Sequence, residues 1–257
     1  MVSRRNRLIE RRLSRRLAWR NLGFPALNPR FMILPGLLYA LSAWFASASL
    51  DQQDLASMRQ ALHACVVAAI RDPIDGLWVL ALASAFVFFT DTHARWYRIA
   101  GGLAHATAHL AGAFVIGWGA LQLTTGPLGM TFGTVPQLLV SGAMTFVGGA
   151  LLGSFVMGLY LLASLLVFGR HSDQAFSALH IEDFKQWLRL RIDAAGNLTL
   201  HAIGIDRVPR RWRQRSARAR HDGPVAKHDA PVSLYEPADA AATRPRLVDT
   251  VVVTGRR

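Results

Sequence analysis

Apolar residues in this chain gather into long windows set apart by short polar marks. From Ile99 to Gly169 there is no Asp, Glu, Lys or Arg, and the imidazoles in that run are His105 and His109. A soluble core of such length would be broken by charged surface positions every few residues, whereas a bilayer crossing needs about 20 predominantly apolar residues in a row. Windows of spanning length fall at Phe31 to Leu50, Ile74 to Thr90, Ala100 to Leu123 and Leu138 to Gly169, and they predict four transmembrane helices. The second window is the shortest, and Asp75 near its start predicts a beginning around Gly76. The fourth is long enough that its helix must tilt, kink or protrude. Within it Gly149, Gly153 and Gly158 form a small-residue face that lets another helix approach closely. Between the first two windows, Leu55 to Ile70 is helical in pattern but carries Arg59 and His63, which predicts an interfacial helix ended by Asp72 and Pro73 rather than a crossing.

After Gly169 the period changes. Leu188, Leu190 and Ile192 alternate with Arg189 and Arg191, a Gly196-Asn197 turn follows, and Leu198, Leu200 and Ala202 resume the alternation. This predicts a β-hairpin whose apolar face packs on Phe176, Leu179 and Phe184 or on another chain or domain, since a lone hairpin is marginal in water. The fold class is therefore mainly α and integral to a membrane. A basic arm spans residues 1–30, a four-helix transmembrane domain 31–169, a small cytosolic module with a hairpin 170–206, and a basic, largely disordered tail 207–257.

Charge adds an orientation. The chain has 257 residues, 52% of them hydrophobic, and a formal net charge of +13; apolar and basic residues must be segregated for both to hold. Of the 29 Lys and Arg, nine precede the first window, two lie between the first and second, two between the second and third, none between the third and fourth, and sixteen follow. An even number of crossings places both basic ends on one side, and the positive-inside rule makes that side the cytoplasm. Trp44, Trp78, Trp96 and Trp118 fall near window ends, where an aromatic belt is expected. At the N-terminus, Ser3 to Arg5 and the Ala46 to Ala48 stretch allow a twin-arginine or secretory signal, but the long basic separation between them favours an uncleaved signal anchor. In the arm, Ile9, Leu13, Leu17 and Trp19 to Leu22 recur at near-helical spacing among arginines, as in a helix lying on an anionic leaflet, or else the arm is solvated. One cysteine, Cys65, excludes an intrachain disulfide framework and a cysteine-built metal cluster.

Candidate chemistry is sparse. His105 and His109 are four apart on one helix and share a face, and ionisable groups at membrane depth are functional suspects. With Asp91 and His93, and with His171 at the end of a neighbouring window, they are candidate ligands for a divalent metal or members of a proton relay. The alternatives are hydrogen bonding to adjacent helices and, less naturally for two histidines on one helix, haem ligation. In the tail, Arg207, Arg210, Arg211, Trp212 and Arg213 open an arginine-dense run suited to anionic lipid; nucleic acid would want an aromatic platform or a fold, and Trp212 stands alone. From His221 onward the composition reads as disordered, and the closing Asp249 to Arg257 looks like the segment by which outer-membrane receptors engage their energising partner, although it stands at the opposite end of the chain.

One stretch carries a family resemblance. HSDQAFSALHIEDFKQWLRLRIDAAGNLTLHAIGIDRVPRRWR, His171 to Arg213, resembles the C-terminal segment of bacterial membrane proteins of the calcineurin-like metallophosphoesterase family, and Gly158 to His171 looks like the last helix of their membrane region. The resemblance implies a two-metal phosphoesterase domain as partner or as a domain lying elsewhere. The family's metal-binding motifs do not follow here; Asp91-Thr92-His93 is an isolated echo of the first. The resemblance therefore implies a membrane anchor and interaction module without catalytic residues of its own, with oligomer formation left open. A small transporter, or a metal- or proton-handling protein using the His105/His109 face, is the competing reading.

Overall fold

The computed structural model describes residues 12–48, 51–90, 94–214, 234–239 and 243–254. The chain divides into a helical unit, residues 12–180, and a sheet unit built from residues 181 onward.

In the helical unit, residues 12–18 are helical and run into a 3₁₀-helix, Trp19–Gly23, and a helical turn, α1, Phe24–Leu27. The long elements are α2 (Ile33–Ala48), α3 (Met58–Arg71), α4 (Pro73–Phe89), α5 (Arg95–Thr125) and α6 (Val135–Phe168), followed by the short α7 (Ser172–Ser177). Two helices, α5 and α6, are long and apolar enough to cross a membrane, or three if the bent α3–α4 pair is one broken span; α2 is a shorter apolar helix. At 1.5 Å per residue, α5 and α6 are about 46 and 51 Å long, α6 running unbroken over 34 residues. Gly169, at φ +65, ends it, where its left-handed backbone lets the amide reach back to the Leu165 carbonyl.

Asp72 decides the geometry between α3 and α4. Its amide closes α3 on the Ala68 carbonyl, while its carboxylate accepts from the amides of Ile74 and Asp75 and caps α4, with Pro73 at the first helical position. The two axes meet at 94°. The interfacial-type helix of the first loop thus forms and stops where its sequence says. The second apolar helix starts at Pro73 rather than Gly76, because the cap draws Asp75 into the first turn.

The interior of this unit holds many polar side chains beside its apolar core, and much of its outside is apolar. Thr90, Thr124, Gln137, Ser141, Thr145, Ser154 and Ser164 are buried along with His105 and His109, while Leu37, Leu41, Leu80, Phe88, Leu103, Val115, Leu139, Leu151 and Val167 are exposed. Two side-chain bonds pin α5 and α6 antiparallel: Tyr97 donates to Ser164 at 2.7 Å at one end, and Gln137 donates to Thr124 at 3.2 Å at the other. Glycines set the helix spacing. A Cβ at Gly149 would run into Tyr39, one at Gly153 into Pro35, one at Gly158 into the Asn21 carbonyl and Phe24, and one at Gly102 would lie 2.6 Å from the Val87 Cα. All three small residues expected to form a packing face on α6 are therefore in close contact with α2 or the arm.

The arm is not a solvated tether where it is described. Ala18, Asn21 and Phe24 are buried, Phe24 packs with Met157, Leu161 and Ala175, and Ile9 lies outside the described residues. Asn28 then donates to the Ala178 carbonyl at 3.0 Å and bonds His180 at 3.0 Å. The entry to the helical unit and its exit are thus joined at one end.

The sheet unit confirms the hairpin and extends it. β1 (Lys185–Ile192) pairs antiparallel with β2 (Leu198–Ile205) in the register Leu188 to Ala202, Leu190 to Leu200 and Ile192 to Leu198. The turn is built by Asp193, whose carboxylate accepts from the amides of Ala195 and Asn197 and from the Asn197 side chain, with Gly196 at φ +79. The Asn197 side chain first, then its amide, hold the Asp193 carboxyl below the usual carboxylate range. A depressed carboxyl stabilises the turn above its ordinary titration range and loses that stabilisation as pH falls through the lowered value. Amide exchange at Ala195 and Asn197 should accordingly speed up on acidification in the wild type and be fast at neutral pH in Asp193→Ala. Equal protection in both would remove this account of the turn.

Where it is described, the tail holds strands rather than the disorder expected of it; residues 215–233 and 240–242 lie outside the described residues. Two short strands, β3 (Trp212–Gln214) and β4 (Tyr235–Pro237), pair with each other, and β5 (Arg246–Val253) adds to the free edge of β2. The run Leu247 to Val253 is rich in β-branched residues and alternates well enough to fill that edge, a signal submerged in the Ala- and Pro-rich composition around it. The closing segment that looked receptor-like is this strand through Val253; residues 255–257 lie outside the described residues. In sheet order β1-β2-β5, one face carries Leu188, Leu190, Ile192, Leu198, Leu200, Ala202, Val251 and Val253, with Asp249 at a corner. Leu179 is buried in the helical unit's own core instead, and Leu190 and Ile192 stay 60% and 73% exposed.

Candidate functional site

The histidine pair sits where three other helices converge on α5. Four-residue spacing on α5 puts His105 and His109 one turn apart, and the rings meet with their Nε2 atoms 3.1 Å from each other. They are 2% and 6% exposed. Aromatic side chains close around them: Tyr160 of α6 stacks on His105 at 4.0 Å between centroids, Phe86 of α4 stacks on His109 at 4.8 Å, and Tyr39 of α2 meets His109 edge-on at 5.8 Å.

Tyr160 links the pair to a second group. Its hydroxyl lies 3.0 Å from the Thr90 hydroxyl and 3.2 Å from His171 Nε2, and Thr90 in turn donates to the Phe86 carbonyl. His171 stands beyond the end of α6 with a positive φ of 57, stacked on Phe89. Burial lowers its pKa below that of an ordinary imidazole, offset in part by a bond with Gln174.

Four buried polar atoms around the pair lack a partner among the described residues: His105 Nδ1, His109 Nδ1, the Tyr39 hydroxyl and Ser154 Oγ. The register fixed by Tyr97–Ser164 and Gln137–Thr124 puts Ser154 at the level of the histidine turn. Buried groups of this kind are normally satisfied, which makes these four atoms the candidate contacts for any polar species held beside the pair.

The chemistry available follows from the Nε2 contact. One imidazole donates Nε2–H and keeps a lone pair on Nδ1; the other accepts and carries its proton on Nδ1. A proton added to the donor's free Nδ1, transfer of its Nε2 proton across the 3.1 Å contact, and release from the acceptor's Nδ1 move one positive charge through the pair. A shared metal ion is the other use. Zinc–nitrogen bonds of about 2.0–2.1 Å at a tetrahedral angle need nitrogens about 3.3 Å apart, close to what is present, but no group of three His, Cys, Asp or Glu side chains comes together among the described residues. Asp91 and His93, the other expected ligands, lie outside the described residues.

Sequence reasoning found His105, His109 and His171 and missed Thr90, Tyr39, Tyr160 and Ser154. One signal was available: Tyr160 is the single tyrosine in the uncharged run, and a phenol hydroxyl at that depth must find a partner. Of the arginine group expected at lipid, Arg210 lies 3.6 Å from both Glu182 and Asp183 and Arg213 lies 2.8 Å from Glu236, while Arg207, Arg211 and Trp212 are exposed. Exposed ion pairs of this sort contribute little and remain free to trade partners. Compared with known proteins, the chain matches no family model, no curated protein and no solved structure.

Proposed function

We propose that this chain is a four-span protein of the bacterial inner membrane, with both termini cytoplasmic, serving as membrane anchor and interaction module for a metallophosphoesterase-type hydrolase. The observation that carries the interaction role is the apolar face of the β1-β2-β5 sheet, on which Leu188, Leu190, Ile192, Val251 and Val253 are all exposed. A contiguous apolar face on a water-soluble module marks a surface that a partner covers. The hydrolase class comes from the resemblance of His171 to Arg213.

Four crossings are supported by the largely apolar outside of the helical unit and by the Asn28 contacts with Ala178 and His180, since entry and exit at one end require an even number of traverses. α2 and α4, with 16 and 17 residues, reach about 24–26 Å, near the lower limit for a hydrocarbon core of about 30 Å. Fusions of a periplasm-active phosphatase should be dark after Arg213 and bright after Gly126; the reverse would sink the topology. The purified chain should show no Mn²⁺-dependent hydrolysis of bis(p-nitrophenyl) phosphate, while protein drawn gently from its own membranes should carry such an activity. Leu190→Asp should release it. Hydrolysis by the chain alone, or a hydrolase retained by Leu190→Asp, would overturn this reading.

A second reading is favoured by the unpartnered atoms around His105 and His109, which support a proton-handling role, or a metal-handling one if further ligands join the pair.

A further inference from the structure

The other face of the same sheet carries a different chemistry. Alternation puts Arg189 and Arg191 on it, His201 stands opposite Arg189, and Thr199 opposite Arg191. His201 Nδ1 lies 3.3 Å from the Thr250 hydroxyl on β5. An open pocket of about 640 Å³ lies across the three strands, lined by Arg189, Arg191, His201, Ile203, Leu247 and Arg246 among others, and no acidic side chain lines it. Two carboxylates stand at its margins: Asp206 holds Arg246 at 2.9 Å, and Asp193 at the turn feels Arg191.

A sheet face that needed only solubility would set acids opposite its arginines, because opposite charges across a strand pair stabilise and like charges do not. Here the cross-strand partners are an imidazole and a hydroxyl, both able to donate a hydrogen bond. Two arginines on one strand face, their Cα atoms about 6.6–7 Å apart along the strand, can bring their guanidiniums to one dianion with several oxygens, and guanidinium forks match phosphate geometry. The volume exceeds what inorganic phosphate fills and falls within the range of small-molecule sites, while Ile203 and Leu247 give it an apolar floor.

We propose that this face binds a phosphorylated organic molecule, Arg189 and Arg191 taking the phosphate oxygens, His201 adding a donor, and Ile203 and Leu247 seating the organic portion. Its source is either a free phosphate ester or the headgroup of an anionic phospholipid. The site is independent of the apolar face and of any hydrolase.

The test uses the full chain in a neutral detergent, titrated with glycerol 3-phosphate for a free ester and with short-chain phosphatidylglycerol for a headgroup. Short-chain phosphatidylcholine is the lipid control. Saturable binding of either anionic probe is expected, at least tenfold weaker in Arg189→Gln, Arg191→Gln and unchanged in Arg59→Gln, Arg71→Gln, which removes the same charge from exposed positions in the helical unit. Glycerol 3-phosphate binding assigns a free ester, and binding of phosphatidylglycerol alone assigns a lipid headgroup. No saturable binding of either, or equal losses in the two double variants, would overturn the site. Circular dichroism of the Arg189→Gln, Arg191→Gln protein separates lost binding from a lost sheet.

Discussion

Leucine at Gly149 or Gly158 should leave almost no folded, monodisperse protein in detergent, and alanine at either should cost about 1–3 kcal/mol, the usual penalty for overpacking a tight core. A Cβ at Gly149 falls on the Tyr39 side chain, whose ring is already held against Gly112 and Gly153, and one at Gly158 falls on the Asn21 carbonyl oxygen, a backbone atom that cannot rotate away. The contrast lies on the same helix, α6, and on its neighbour α5. At Gly119 and Gly142 a Cβ meets nothing within 4 Å, and alanine there should stabilise by about 0.5–1 kcal/mol by restricting the unfolded chain and favouring helix. Size-exclusion profiles and thermal unfolding read all four positions. Similar behaviour at the two kinds of glycine would mean that close helix approach is not what holds the unit together.

The second large effect belongs to the histidine pair. His105→Ala should cost about 2–4 kcal/mol, since it opens a cavity under Tyr160 and strands His109 Nε2 without its partner. Leucine at both positions keeps most of the volume and removes donor and acceptor together, so the double variant should be more stable than either single leucine variant would suggest by addition. Strict additivity would deny the imidazole contact. The double leucine variant also separates packing from chemistry: reconstituted in liposomes, the wild type should dissipate an imposed pH gradient faster than the variant if the pair relays protons, and Zn²⁺ should raise wild-type stability at pH 7.5 but not the variant's if it holds a cation. No difference in either assay would leave His105 and His109 as packing residues.

What could be read from the chain beforehand was whatever depends on composition over a window or on a short period. The uncharged run from Ile99 to Gly169 gave α5 and α6, the Asp72-Pro73 pair gave the end of α3, and the alternation around Arg189 and Arg191 gave β1 and β2 with the faces correctly assigned. β5 was hidden because its alternation is submerged in the Ala- and Pro-rich composition around it and its partner edge exists only after the hairpin has formed. The site was half legible. His105 and His109 announce themselves as the ionisable side chains of a long uncharged run, and four-residue spacing brings them together with no tertiary information. Tyr39, Thr90 and Ser154 join them from three other helices, and no local pattern encodes which face of α2, α4 or α6 turns toward α5. The arm was misjudged for the same reason: Asn21 and Phe24 sit among arginines in sequence and are buried by a helix more than a hundred residues away.

Asn28, by holding Ala178 and His180, gives the helical unit the geometry of an insertion cassette. Chain ends that meet at one place are what allow domains to be inserted into others or circularly permuted, and here the meeting place is the polar end of an apolar bundle. Chain entering the long helices at Asn28 and chain leaving them at His180 pass through nearly the same point. Gene order would then matter little to such an assembly: upstream fusion, downstream fusion and a separately encoded partner would all bring a soluble domain to the same end of the bundle, and selection could move among them without redesigning a single helix contact.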